Sequence, residues 1–97
     1  MTKLKAAMLQ SHVYSDKAEN IRALCVNLEE LAKEKPDLVT LPEMFNCPYQ
    51  SSNFPVYAEK EGEETWQALS SLAAKYGIYL SAGSVPETDE QGHIFNT

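Results

Sequence analysis

Leu38-Val39-Thr40-Leu41 limits the possible folds of this chain more than any other stretch. It is a short, largely apolar run closed by Pro42, with Pro36 just ahead of it. A strand with one wet face would alternate apolar and polar residues, and this one does not. That pattern suits a central parallel strand covered on both faces. Parallel neighbours need crossover connections, and helical segments are available on either side. Upstream, Asp16 with Glu19 fits a capping box. Ile21, Leu24, Cys25, Leu28, Leu31 and Ala32 follow at helical spacing, which predicts a helix over 17–34 that Pro36 stops. Downstream, Trp66, Leu69, Leu72, Ala73 and Tyr76 mark a second amphipathic helix, with Trp66 read as core and Gly77 as its left-handed cap.

Three further strands complete the pattern. Residues 4–10 read as a buried strand and Ile78 to Val85 as another. The acidic stretch Pro86 to Gly92 reads as a hairpin turn, and His93 to Thr97 begins the last strand. A loop rich in Pro, Ser and Asn fills 46–55. The order strand, helix, strand, helix, strand, hairpin defines an α/β layered fold with right-handed crossovers. The sequence stops inside the last predicted strand, so the 97 residues are expected to be part of a longer protein.

Charge and composition exclude several function classes. Eight basic against fourteen acidic residues give a net charge of −6, with Arg22 the single arginine. Nucleic-acid binding needs clustered cations, so it is not expected. No apolar run is long enough for a membrane helix. The opening MTKLKAAMLQ is too short and too polar for a signal peptide, and a cytoplasmic location is expected. Cys25 and Cys47 form neither a C-x-x-C pair nor a zinc pattern, and His12 and His93 lack ligand spacing. No metal, organic cofactor or structural disulfide is expected. There is no glycine-rich phosphate loop either.

Glu43 is the residue with candidate chemistry. It follows the central strand, and ligands of open α/β sheets bind beyond the carboxyl ends of the strands. Pro42 restrains the backbone, and Met44 and Phe45 are expected to shield the carboxylate from water, which would raise its pKa and suit it to act as a base. The alternative is a turn glutamate that meets solvent. Phe45 and Tyr49 either line a substrate entrance beside Glu43 or pack the loop onto the sheet. Cys25, on the apolar helix face, reads as a small core residue. Cys47 has no cation among its neighbours to make it a thiolate. His12 reads as a loop histidine, and Lys60 as part of a solvated, mixed-charge run.

Together these residues resemble a known family. Gln10 at the end of the first strand, Asp16 and Asn20 at the helix opening, Leu41-Pro42-Glu43-Met44-Phe45, Gly83, and Phe95-Asn96-Thr97 stand in the order found in nitrilase-superfamily carbon–nitrogen hydrolases. Phe45-Asn46-Cys47-Pro48-Tyr49, Phe54 to Glu59, and Ile78-Tyr79-Leu80 leading to Gly83-Ser84-Val85-Pro86-Glu87 resemble the omega-amidase branch. The resemblance implies an α-β-β-α four-layer sandwich, with residues 1–97 forming the N-terminal part of one carbon–nitrogen hydrolase domain, roughly its first third. It implies a homodimer acting on a small-molecule amide, the omega-amide of a 2-oxo dicarboxylic acid, through a Glu-Lys-Cys triad. Glu43 would be the general base. The lysine and the nucleophilic cysteine would lie beyond Thr97, so Cys47 is not the nucleophile and these residues alone would be inactive. Two alternatives are another amidase of the superfamily, acting on deaminated glutathione or carbamoyl amines, and a small non-enzymatic α/β binding module. Asp37, which precedes its strand, does not fit a receiver-type version of the latter.

Overall fold

A computed structural model describes residues 3–97. Three parallel strands form a sheet in the order β1-β2-β3, comprising β1 (Ala6–Met8), β2 (Leu38–Thr40) and β3 (Tyr79–Ser81). Two helices, α1 (Lys17–Ala32) and α3 (Glu64–Tyr76), make the crossovers, while the short α2 (Phe54–Tyr57) lies in the connection between β2 and α3. Strands β4 (Pro86–Thr88) and β5 (Ile94–Asn96) form a separate antiparallel hairpin.

Register decides which side of the sheet is dry. Ala7, Val39 and Leu80 lie side by side on one face. Val39 is fully buried there, in a core with Leu24 and Leu28 of α1 and Leu72 of α3. Burying a side chain of this kind is worth about 1.5–3 kcal/mol. Met8 and Tyr79 point to the opposite face and are 85% and 80% exposed. The expectation of a central strand covered on both faces therefore holds for the helix side alone, and the strand expected to be buried over 4–10 is confined to Ala6–Met8, an edge strand with Met8 exposed. In an α-β-β-α sandwich the open side is the one that meets a second sheet, so these residues supply one helix layer and one sheet layer.

Helix ends follow local chemistry. Asp16 caps α1 by accepting the Ala18 N–H at 3.0 Å. The reciprocal half of the predicted capping box is replaced, because Glu19 pairs with Arg22 one turn on. Helix α3 ends at Gly77, whose φ of 62° is the left-handed cap expected from sequence.

The structure departs from the sequence reading in four further places. Trp66 is 52% exposed, whereas Thr65 is buried. Thr65 and Leu72 are seven residues apart and share a helix face, and Trp66 is turned away by about 100°. Thr65 is held inward because its N–H and hydroxyl both serve Glu59. The predicted strand Ile78 to Val85 is divided: pairing with β2 ends at Ser81, and the chain continues through Ser84 into β4. Pro86 to Thr88, read as turn, is strand, and the reversal is confined to Asp89–Gly92, where the Asp89 carboxylate accepts the Gln91 and His93 N–H groups at 2.9 Å each. Within the predicted loop over 46–55, Ser51–Asn53 forms a 3-10 turn and Phe54 opens α2.

Candidate active site

Glu43 sits just past the carboxyl end of β2, the central strand. Leu41 extends the pairing by one residue, donating its N–H to the Ser81 carbonyl at 2.9 Å. The chain then turns through Glu43–Asn46. Met44 takes a left-handed φ of 52°, which for a residue with a side chain costs about 1–2 kcal/mol. Ser84 holds this conformation in place. Its hydroxyl accepts the Met44 N–H and its carbonyl accepts the Phe45 N–H, both at 3.2 Å.

The carboxylate of Glu43 has two partners on one oxygen. The Tyr49 hydroxyl donates to Oε1 at 3.3 Å, and the Asn96 side-chain N–H donates to the same atom at 3.2 Å. Among the described residues Oε2 accepts no hydrogen bond and is open to a reacting group. Beside the carboxylate is a cleft of about 210 Å³, lined by Met44, Tyr49, Phe54, Ile94, Phe95 and Asn96 among others. Tyr49 stands edge-on to Phe54 with ring centroids 5.7 Å apart.

Two sequence expectations change here. Met44 and Phe45 are both 3% exposed, but they lie under the turn, and the Glu43 carboxylate itself is exposed. The shielding expected from these two neighbours is therefore not what they provide. Phe45 belongs to the core with Leu41 and Val39, so of its two readings, loop packing fits and lining an entrance does not. Tyr49, 70% exposed and bonded to Glu43, keeps the entrance reading. Asn96 has no role of its own in the sequence reading, where it stands only as part of Phe95-Asn96-Thr97. The signal that could have found it is its place on a strand, two residues from Ile94 and on the same face, which also lines the cleft.

A buried polar chain supports the loop from below. Asn46 is 1% exposed and donates to the Thr65 hydroxyl at 3.0 Å, and Thr65 in turn donates to Glu59. Lys17 closes the chain with a 2.9 Å bridge to Glu59, the side chains being 23% and 11% exposed. Burial works to raise the Glu59 pKa, but the Thr65 and Lys17 hydrogen bonds and the Lys17 charge outweigh it and hold the carboxyl below its ordinary value. Cys47 is fully buried, and burial pushes its thiol pKa up, with Lys17 only partly offsetting that. A cation near Cys47 was not visible in its sequence neighbours; the fold brings one from α1. Cys25 is half-buried against the core. His12 packs edge-on to Tyr14 at 4.6 Å, and Lys60 pairs with Glu90 at the surface. No helix among the described residues is long and apolar enough to cross a membrane.

Helices cover one face of the parallel sheet, a positioned glutamate stands past its central strand, and the chain belongs to the carbon-nitrogen hydrolase family, whose model matches residues 5–97. Among relatives, it is 42% identical to omega-amidase NIT2 of Mus musculus and 41% identical to that of Homo sapiens, in each case over all of this chain and 35% of the relative. The chain thus spans about a third of the length of the curated relatives it matches. The fold is that of the nitrilase superfamily. Saccharomyces cerevisiae Nit3, a member of branch 10 of that superfamily, superposes with a TM-score of 0.87 at 36% identity, over 96% of this chain and 37% of Nit3. XC1258 of Xanthomonas campestris, a CN-hydrolase superfamily protein, gives 0.84 at 28% identity, over 99% and 35%.

Proposed function

We propose that this chain contributes the general base of an amidohydrolase that cleaves the terminal amide of a small carboxylic acid, with the omega-amide of a 2-oxo dicarboxylic acid as substrate. The observation that carries the reading is Glu43 itself: one carboxylate oxygen is held by Tyr49 and Asn96 and the other is open, at the carboxyl edge of the sheet. The likeness to omega-amidases supports the substrate class.

In this reading Glu43 takes the proton of a cysteine thiol, and the thiolate attacks the amide carbonyl. A lysine ammonium stabilises the oxyanion that develops. Glu43 returns the proton to the amide nitrogen, the C–N bond breaks, and ammonia leaves a thioester. Water then loses a proton to Glu43 and attacks the thioester. The C–S bond breaks, the thiol recovers its proton, and the acid departs. The lysine and the thiol come from outside residues 1–97, and the working enzyme is a cytoplasmic homodimer.

Glu43→Gln in the intact protein tests the assignment. It preserves shape and removes the base, so kcat is expected to fall about a hundredfold or more while Tm barely moves. Near-normal turnover by a folded Glu43→Gln protein would show that Glu43 takes no part.

A further inference from the structure

Asn96 reaches Glu43 from 53 residues away in sequence, and the fold arranges this through two adjacent residues. Ser84 holds the turn that carries Glu43, through its hydroxyl to Met44 and its carbonyl to Phe45. Val85, the next residue, exchanges both backbone hydrogen bonds with Thr97, at 2.8 and 3.0 Å. The segment at 84–85 therefore sets the base on one side and the end of β5 on the other. Asn96 is the β5 residue whose side chain meets the carboxylate.

We propose that Asn96 is a positioning residue for the base: together with the Tyr49 hydroxyl it occupies Glu43 Oε1, so that protons are taken up and returned at Oε2 alone. This rests on Glu43 being the base. The chemistry is that of charge-assisted hydrogen bonds. A carboxylate oxygen that already accepts two donors is a poorer proton acceptor than its free partner. The asymmetry also restrains rotation of the carboxylate, which keeps the free oxygen aimed at one point while the same group serves first the thiol and then water. Asn96 suits the task because its amide does not titrate. Its N–H remains a donor at any pH at which the enzyme would work.

The test compares Asn96→Ala, Asn96→Asp and Tyr49→Phe with wild type in the intact protein, reading kcat, KM and Tm, with omega-amide hydrolysis as the assay. Strand pairing of β5 runs through main-chain groups, so the Asn96 variants are expected to fold with Tm near wild type. Losing the donor frees the carboxylate to turn. Asn96→Ala is therefore expected to lower kcat about tenfold with KM little changed. Asn96→Asp replaces the donor with an acceptor beside a carboxylate and should lower kcat at least as far. Tyr49→Phe keeps the ring, removes the other donor and should lower kcat in the same sense as Asn96→Ala. An Asn96→Ala enzyme with wild-type kcat, beside an inactive Glu43→Gln, would overturn the positioning role and leave the base intact. An active Glu43→Gln would remove the base reading itself. A change confined to Tm or KM would also count against the proposal, since a merely structural asparagine would behave that way.

Discussion

Ser84 accepts the N–H of Met44 on its side-chain oxygen at 3.2 Å, forty residues away in sequence, and so fixes the one backbone position at the site that lies in the left-handed region without being glycine. Both residues are buried. Ser84→Ala leaves a buried N–H without that acceptor, a loss of about 1–3 kcal/mol. The expected outcome is a lower urea midpoint together with a fall in kcat, because the turn that aims Glu43 loosens. Unchanged stability and turnover in Ser84→Ala would show that the turn holds itself.

The Lys17–Glu59 bridge predicts a defined pH dependence of stability. The folded-state pKa of Glu59 is lowered, so its contribution is present above the unfolded value, near 4.5, and is lost as pH falls through the folded pKa. The side chains are mostly but not wholly buried, which places the cost of Lys17→Met between surface and interior pairs, at about 2 kcal/mol near neutral pH. Urea denaturation at a series of pH values should show the gap between wild type and Lys17→Met narrowing below pH 4.5. A gap that stays constant into acid would mean that Lys17 contributes through packing and its hydrogen bond to the Tyr57 carbonyl alone.

Cys47 is expected to be chemically silent. It is fully buried, and burial disfavours its thiolate by more than Lys17 favours it. Iodoacetamide at pH 7 should leave Cys47 unmodified in the native protein and label both Cys25 and Cys47 once it is unfolded. Cys47→Ser should keep omega-amide turnover within a few-fold of wild type, its hydroxyl able to use the Pro48 carbonyl that the thiol meets at 3.4 Å. Native labelling of Cys47 accompanied by loss of activity would make it the nucleophile and reassign the mechanism.

Much of the scaffold was legible in the residues. Asp16, the stripe from Ile21 to Leu31 and Gly77 set helix limits through local hydrogen bonding and backbone geometry, and both long helices lie where the periodicity puts them, although α1 ends at Ala32, short of the expected residue 34 and ahead of Pro36. Glu43 past the central strand was readable for the same reason, since an apolar run ending in Pro42 marks a strand end. Sequence points to Trp66 as core because a large aromatic on a helical stripe usually outcompetes a threonine for burial. Here Thr65 is drawn inward by the carboxylate of Glu59, six residues earlier, which Lys17 of α1 holds in place. The split of Ile78 to Val85 was equally hidden. An apolar run does not record where its pairing partner ends, and β2 offers pairing only as far as Ser81.

The sequence by itself determined the alternation of strands and helices, the central place of Leu38 to Leu41, and the glutamate at its end, because these follow from periodicity, proline and caps within a few residues. The tertiary structure decided what surrounds that glutamate. Met44 and Phe45 went beneath it, Ser84 took hold of its turn, and Tyr49 and Asn96 met on a single oxygen. Ser84 comes from 40 residues beyond Met44 and Asn96 from 53 beyond Glu43, and a hydrogen bond across such a span has no local signature. It exists only once β2, the 84–85 segment and β5 have been brought together by pairing and core burial.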